Sequence, residues 1–304
     1  MAITVLRVCA AVGLALNLFL VIRKISSELK TEAGKEKWAE SKKYVIYNAI
    51  VGVAANFLDV FGIGTYATTS AAVKFGKSVK DGDIPGTLSV GATIPVCIEA
   101  ILFSRLVDID SLTLALMVVA ATAGALIGAS LVTKLNIQGV RLMMGIGMII
   151  LGILMALRVF AVGPFGLTGE DLKLTGIKLV AAVLVQFILG IFMNIGVGLY
   201  APCMALCTGL GLGVTAAFPI MMGSSAILMA YGSSPQFIKA GRFDMLASIC
   251  QMIGGTAGVL VAYFLVKNLD VRILTIIISV VVLATGVMFF RDYKNGKPRR
   301  RQER

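Results

Sequence analysis

The sequence predicts an all-α, polytopic integral membrane protein built from two homologous, inverted repeats, and three observations carry that reading. Apolar runs of about 20 residues, enough to cross roughly 30 Å of hydrocarbon as helix, recur along nearly the whole chain. Mean hydropathy is +0.93, with 58% hydrophobic and 14% charged residues, too apolar for an ordinary soluble domain. A six-residue pattern, Gly-x-Gly-x-Tyr-Ala, occurs twice inside apolar segments, at Gly62–Ala67 and Gly196–Ala201, 134 residues apart. The apolar runs are continuous rather than alternating, which selects helices over a membrane barrel.

Residues 1–43 hold a first span, Ile3–Ile22, which lacks a small-residue cleavage site before Arg23-Lys24 and reads as an uncleaved anchor. The segment Ser26–Lys43 alternates charge and contains the single tryptophan, Trp38, as a helix on the cytoplasmic surface would. Apolar blocks follow at Tyr44–Phe75, Ile84–Ser104, Ser111–Thr133 and Gly139–Phe160, making a first transmembrane repeat of residues 44–160. A polar connection, 161–173, leads to a second repeat, 174–290, with blocks Leu174–Gly213, Val214–Tyr231, Asp244–Val266 and Val271–Phe290. A basic tail, 291–304, closes the chain and can touch anionic lipid.

The duplication rests on landmarks at a nearly constant offset. Gly62 matches Gly196, Tyr66 matches Tyr200, Asp110 matches Asp244, and Thr122-Ala123-Gly124 matches Thr256-Ala257-Gly258, all at 134. Gly91 matches Gly223 at 132, and Arg141 matches Arg272 at 131. Tandem duplication is a recurrent way to build secondary transporters. Seven of the 28 basic residues fall in Arg23–Lys43 and seven in Arg291–Arg304. Both stretches are expected on the cytoplasmic side, so an even number of crossings lies between them. As one straight helix, Tyr44–Phe75 would reach about 48 Å, well beyond the hydrocarbon. Two half-length pieces meeting near mid-membrane fit better, giving six crossings plus two re-entrant hairpins and hence inverted repeats. Eight crossings would give parallel repeats. Small residues recur every four positions at Ala120-Gly124-Gly128 and Gly254-Gly258-Ala262, which serves helix packing within one protomer or the seam of a homodimer.

Paired glycines inside an apolar helix mark a break, since each costs about 1 kcal/mol relative to alanine. In lipid a break is tolerated where the freed backbone is buried or lines a cavity. The half-helix that follows presents unpaired N–H groups and a partial positive charge, which binds anions without a basic side chain. Gly62, Gly64, Thr65, Tyr66, Thr68 and Thr69 supply such a site in the first copy, and Gly196, Gly198, Tyr200 and Pro202 in the second. Thr93, Ser224 and Ser225 in the following blocks complete the cage, and Asn56 and Asn194 flank the breaks. The competing use of these glycines is close packing, with the hydroxyls bonding back to the backbone.

Asp59 and Glu99 are ionisable groups inside spans, where each needs a reason. Their counterparts in the second copy are Met193 and Tyr231, so the charge belongs to one half, as suits proton coupling. The alternative is a pair of carboxylates at membrane faces, Glu99 near Arg105 and Asp59 paired to Lys74.

Other functions are poorly served. The chain has no histidine, which removes a Ser–His dyad, a His-x-x-x-His metal pair and histidine acid–base work. Five cysteines, all in apolar segments, argue against a disulfide framework, and no cofactor or metal motif is present. The net charge of +12 sits beside membrane spans, with no folded polar domain left to bind nucleic acid.

At these residues the sequence resembles the sulfite exporter family of TauE/SafE type, also called the toluene-sulfonate uptake permease group. The resemblance covers roughly Tyr44 to Phe290, and its most telling stretches are Asn56–Ala67 and Gly196–Ala201. It implies secondary transport of sulfite, sulfonates or related anions across a bacterial inner membrane, with substrate around Gly62–Thr69 and Gly196–Pro202. The span Ile3–Ile22 and the charged helix after it depart from the shorter family pattern. The combined expectation is a transporter, not an enzyme, for a small sulfur-containing anion, proton-linked and working by alternating access; a passive anion channel is the alternative.

Overall fold

Apolar helix-forming runs punctuated by glycine pairs and short polar connections fold here into an all-helical chain. The computed structural model describes residues 2–103, 109–166, 169–265 and 272–296. Arg105 and, in the basic tail, Arg299, Arg300, Arg301 and Arg304 lie outside the described residues. The helices are α1 (Ala2–Glu28), α2 (Glu32–Ser41), α3 (Val45–Asp59), α4 (Thr65–Gly76), α5 (Ile84–Phe103), α6 (Ser111–Val132) and α7 (Ile137–Val159). They continue as α8 (Gly176–Met193), α9 (Tyr200–Gly209), α10 (Val214–Ile227), α11 (Ser234–Ala240), α12 (Met245–Leu265) and α13 (Arg272–Lys294). Among the described residues eight helical stretches are long and apolar enough to cross a membrane, and the chain is a multi-pass membrane protein.

The polar ends of the helices are tied in specific ways. Asp110 caps α6 by accepting from the Thr113 amide at 2.9 Å, and Asp244 caps α12 by accepting from the Ala247 amide at 2.9 Å. These caps satisfy amides that would otherwise be orphaned at a helix start. Arg7, a charge inside the first apolar run, donates from Nε to the Ile101 carbonyl at the end of α5. The block expected at Val214–Tyr231 is longer in the structure: a π-helical turn, Leu228–Ser233, joins α10 to α11. Pro235 is tolerated there because it falls in the first turn of α11.

The helices α3 and α4 are 15 and 12 residues long, about 22 and 18 Å, too short to span. They run antiparallel. The Tyr47 hydroxyl near the start of α3 donates to the Ala72 carbonyl near the end of α4 at 2.6 Å, and Ser78 Oγ meets Asn48 Oδ1 at 3.0 Å. The pair α8 and α9 folds back in the same way, since Asp171, just before α8, exchanges backbone bonds with Gly211 and Gly213, just after α9. The two hairpins open toward opposite ends of the bundle. Helix α6 begins beside the mouth of the second, where Asp110 and Leu174 bond to Leu172 and Thr113. Its 22 residues carry it about 33 Å to Leu135, whose carbonyl shares Arg242 with Gly82 at the mouth of the first.

Backbone contact makes this interlock tight. Helix α12 lies along α3, and α6 along α8. A Cβ at Gly254 or Gly258 would strike the carbonyl of Ala49 or Val53, and one at Gly124 or Gly128 that of Phe187 or Ile191. The two small-residue stripes are therefore occupied inside the chain and are not free to form a dimer seam.

At the mouth of the first hairpin sits a buried ion cluster. Lys74 Nζ lies 2.8 Å from both carboxylate oxygens of Asp81 and from Asp292 Oδ2, and it stands 4.1 Å from the centre of the Phe289 ring. Arg141, fully buried, donates from Nε to Asp81 at 2.9 Å. Lys74 thus serves this cluster rather than Asp59, the pairing weighed from sequence. The cluster joins the foot of α4 to the start of α7 and the end of α13. Breaking a buried pair leaves an uncompensated charge and costs about 3–5 kcal/mol. Asp81→Asn is therefore expected to lower stability by about that amount in detergent unfolding; a change below about 1 kcal/mol would show that the cluster does not hold the hairpin.

Candidate functional site

Both hairpins turn by the same local geometry. In the first, the Gly62 amide donates to the Asp59 carbonyl and the Ile63 amide to the Leu58 carbonyl. In the second, Gly196 donates to Met193 and Val197 to Phe192. This pair of bonds is the Schellman way of closing a helix, and it puts the residue after the cap at positive φ. Gly62 has φ 79° and Gly196 has φ 97°; Gly64 (96°) and Gly198 (68°) turn the chain a second time to start α4 and α9. A side chain at these positions would strain the backbone, which is the physical content of Gly-x-Gly.

The tips of the two hairpins meet. The position a Cβ would take at Gly198 lies 3.7 Å from Tyr66 Cβ. Between the tips is a chamber of about 20 Å³, room for about one water. It is lined by Asp59, Gly64, Thr65 and Tyr66 of the first hairpin and by Gly198, Leu199, Tyr200 and Ala201 of the second. Val96 of α5, Leu151 of α7, and Ser225 and Met229 of the α10 stretch complete it.

Three side chains give the chamber its chemistry. Asp59 Oδ1 accepts from the Thr65 amide at 2.7 Å. The Tyr200 hydroxyl donates to Glu99 Oε1 at 3.0 Å. Asp59 lies close to both Glu99 and Tyr200, so groups from α3, α5 and α9 converge on one point. Asp59 is 2% exposed and Glu99 fully buried, and among the described residues neither forms an ion pair with a cation. Two neighbouring carboxylates in such surroundings repel unless a proton is held between them. Asp59 is thus not paired to Lys74, and Arg105, the partner weighed for Glu99, lies outside the described residues.

The first half-helix therefore differs from the sequence expectation of bare amides at both breaks: its leading amide is capped by the chain's own Asp59. The N-terminus of α9 has no side-chain cap. Its Pro202 stands in the first turn, where a missing N–H leaves no gap.

Of the other expected site residues, several do not line the chamber and bond within the scaffold, although Asn56 Oδ1 also accepts from the hydroxyl of Thr65, which does line it. Asn56 Nδ2 donates to the Gly52 carbonyl, and Asn194 Nδ2 to those of Gly190 and Ala125. Thr68 bonds back to Gly64 and Thr65, and Thr93 to Ser89. Ser224 Oγ accepts from Gln186 Nε2 at 3.1 Å. Thr69 is buried in α4, and Gly196 packs against Met144. The Tyr66 hydroxyl pairs with Ser89 Oγ at 2.7 Å. Ser225 does line the chamber: it is 2% exposed, and its hydroxyl has no hydrogen-bond partner among the described residues.

Sequence reasoning passed over Arg158, near the end of α7, whose Nη1 donates to the Gly62 carbonyl at the tip of the first hairpin. The available signal was an arginine ending an apolar run, a residue that lipid does not tolerate without a partner. Placing cysteines at Tyr66 and Gly198 in a cysteine-free background is expected to give a disulfide on mild oxidation, because their spacing matches the usual Cβ–Cβ distance of about 3.8 Å and one side chain in the left-handed region at Gly198 costs only about 1–2 kcal/mol. After proteolysis at a site inserted in 161–173, the two halves should stay joined until reduced; halves that separate under oxidising conditions would contradict the meeting of the tips.

The chain matches no protein-family model, no curated protein and no solved structure at significant similarity.

Proposed function

We propose that the protein is a proton-linked secondary transporter that moves a small sulfur-containing anion, sulfite or an organosulfonate, across the cytoplasmic membrane by alternating access between two inverted repeats. The observation that carries the reading is a pair of hairpins opening to opposite ends whose tips share a chamber lined by Asp59, with a second buried carboxylate, Glu99, held behind it by the Tyr200 hydroxyl.

Equivalent contacts support the repeats. The turn bonds Gly62 to Asp59 and Gly196 to Met193 are offset by 134 residues at both ends, as are the caps Asp110 to Thr113 and Asp244 to Ala247. Gly124 approaches Phe187 and Ile191 as Gly258 approaches Val53 and Phe57, again at 134. With α3–α4 and α8–α9 taken as re-entrant hairpins, although α8 at 18 residues is one of the eight stretches long enough to cross, six crossings separate α2 from the end of α13, an even number. The bundle end holding Lys42, Lys77, Lys239, Arg242 and Arg291 is then cytoplasmic by the bias of basic residues toward that side.

The resemblance to the TauE/SafE-type family supplies the sulfur anion, and the site chemistry is compatible with it. An oxyanion presents hydrogen-bond acceptors, which match the amides at the start of α9 and the Ser225 hydroxyl. It can enter beside Asp59 and Glu99 only with protons on them, which links the two fluxes. A chamber the size of one water favours a carrier that must change shape over an open channel.

Counterflow in reconstituted liposomes tests this. A carrier shows uptake of labelled anion stimulated by unlabelled anion inside, and a channel shows none. Proton-driven uptake is expected to fall as pH rises, and Glu99→Gln is expected to cut it at least about tenfold while exchange persists. Absence of trans-stimulation for sulfite and small sulfonates alike would overturn the assignment.

A further inference from the structure

We propose that Asp59 is a tethered competitor of the transported anion: its carboxylate occupies the amide end of α4 in the empty chamber, and one proton on Asp59 lets the anion bridge the starts of α4 and α9. The inference rests on the transport reading above and gives its coupling a definite residue and stoichiometry.

The two half-helices, of 12 and 10 residues, begin within contact distance across the chamber. They are equivalent in backbone and unequal in occupancy. At α4 the Thr65 amide is bonded to Asp59 Oδ1 at 2.7 Å, whereas among the described residues no side chain bonds an amide at the start of α9, whose N-cap residue is the apolar Leu199. A carboxylate on a helix amide is chemically what a small oxyanion at the same place would be. A second feature points to an external guest: the buried Ser225 hydroxyl lines the same chamber and has no partner among the described residues. The donors at α9 and Ser225 are thus open while those at α4 are held by the chain itself.

The surroundings make charge the deciding quantity. Asp59 faces Glu99 from α5 and Tyr200 from α9; Thr65 and Tyr66 approach from α4, and Arg158 from α7 is fixed on the Gly62 carbonyl of the same turn. Helix α12 meets α3 through Gly254 and Gly258; of its titratable groups, Cys250 lies before Gly254 and Tyr263 stacks on Phe103 of α5. An anion added beside a charged Asp59 would stand against that carboxylate, with the Arg158 guanidinium committed to the Gly62 carbonyl. Protonated, the Asp59 side chain can remain near Thr65 without charge, and the helix dipole then faces the guest. The counterpart of Asp59 in the second repeat is Met193, which cannot compete in this way.

The test is binding of a small sulfonate, which keeps its single charge over the whole range, to the purified full chain from pH 5 to 9. For the unaltered protein the affinity is expected to fall about tenfold per pH unit on the alkaline side, the slope of one proton per anion. Asp59→Asn and Asp59→Ser, both neutral residues able to cap a helix, are expected to bind with an affinity that does not vary with pH. If both Asp59 variants keep the slope while counterflow is intact, the competitor role falls and the transport reading stands. If the sulfonate binds neither the unaltered chain nor the variants at any pH, both fall.

Discussion

A helix that stops inside an apolar layer leaves amides and carbonyls that lipid cannot satisfy, and the fold described here is organised around burying two such stops. The Schellman bonds at Gly62 and Gly196 close the carbonyl ends of α3 and α8. The amide ends of α4 and α9 are then turned toward each other rather than toward lipid. Helices α12 and α6 can cover the hairpins because glycine lets their backbones touch α3 and α8. The buried cluster of Lys74, Asp81, Arg141 and Asp292 pins one hairpin at its foot. Each device serves the same end: keeping broken helices away from hydrocarbon while leaving a small polar space between them.

The scaffold is nearly symmetric and the chemistry is not. Both halves contribute a turn, a half-helix and a tyrosine, yet both carboxylates come from the first half. Tyr200 of the second hairpin donates to Glu99, while Tyr66 of the first pairs with Ser89. In the transport mechanism proposed above, such a frame would supply two alternative ways of closing the chamber, and the asymmetric pair of acids a proton binding point that stays with one half as the other moves. Arg158 reinforces the inequality by gripping the Gly62 tip, a contact without an equivalent at Gly196, where Met144 packs instead.

Much of this was legible in the sequence, for reasons that can be named. Glycine at positive φ is a strong local requirement, so the pattern Gly-x-Gly-x-Tyr-Ala located both turns, and the length of Tyr44–Phe75 implied two short pieces. The offset of 134 located matching caps at Asp110 and Asp244. Harder to see were interactions that depend on packing between distant segments. Asp59 could be recognised as a costly charge, but its seat on the Thr65 amide follows from how the turn folds back. Thr93, Ser224 and the two asparagines looked like donors for a guest, yet in a helix a hydroxyl or amide readily bonds four residues back, or a neighbouring helix claims it. The small-residue stripes carried no sign of which neighbour they would meet. Arg158 was visible as an arginine, but not its partner 96 positions away.

The central claim is that the two hairpins enter the bilayer from opposite faces and meet inside it. Side-specific labelling tests it most directly, with Lys77→Cys near the first mouth and Glu170→Cys near the second, each in a cysteine-free background. Both positions are exposed in the structure. A membrane-impermeant maleimide applied to right-side-out and inside-out vesicles should label position 170 only from outside and position 77 only from the cytoplasmic face. Labelling of both positions from the same face would contradict the inverted arrangement and, with it, the mechanism built on it.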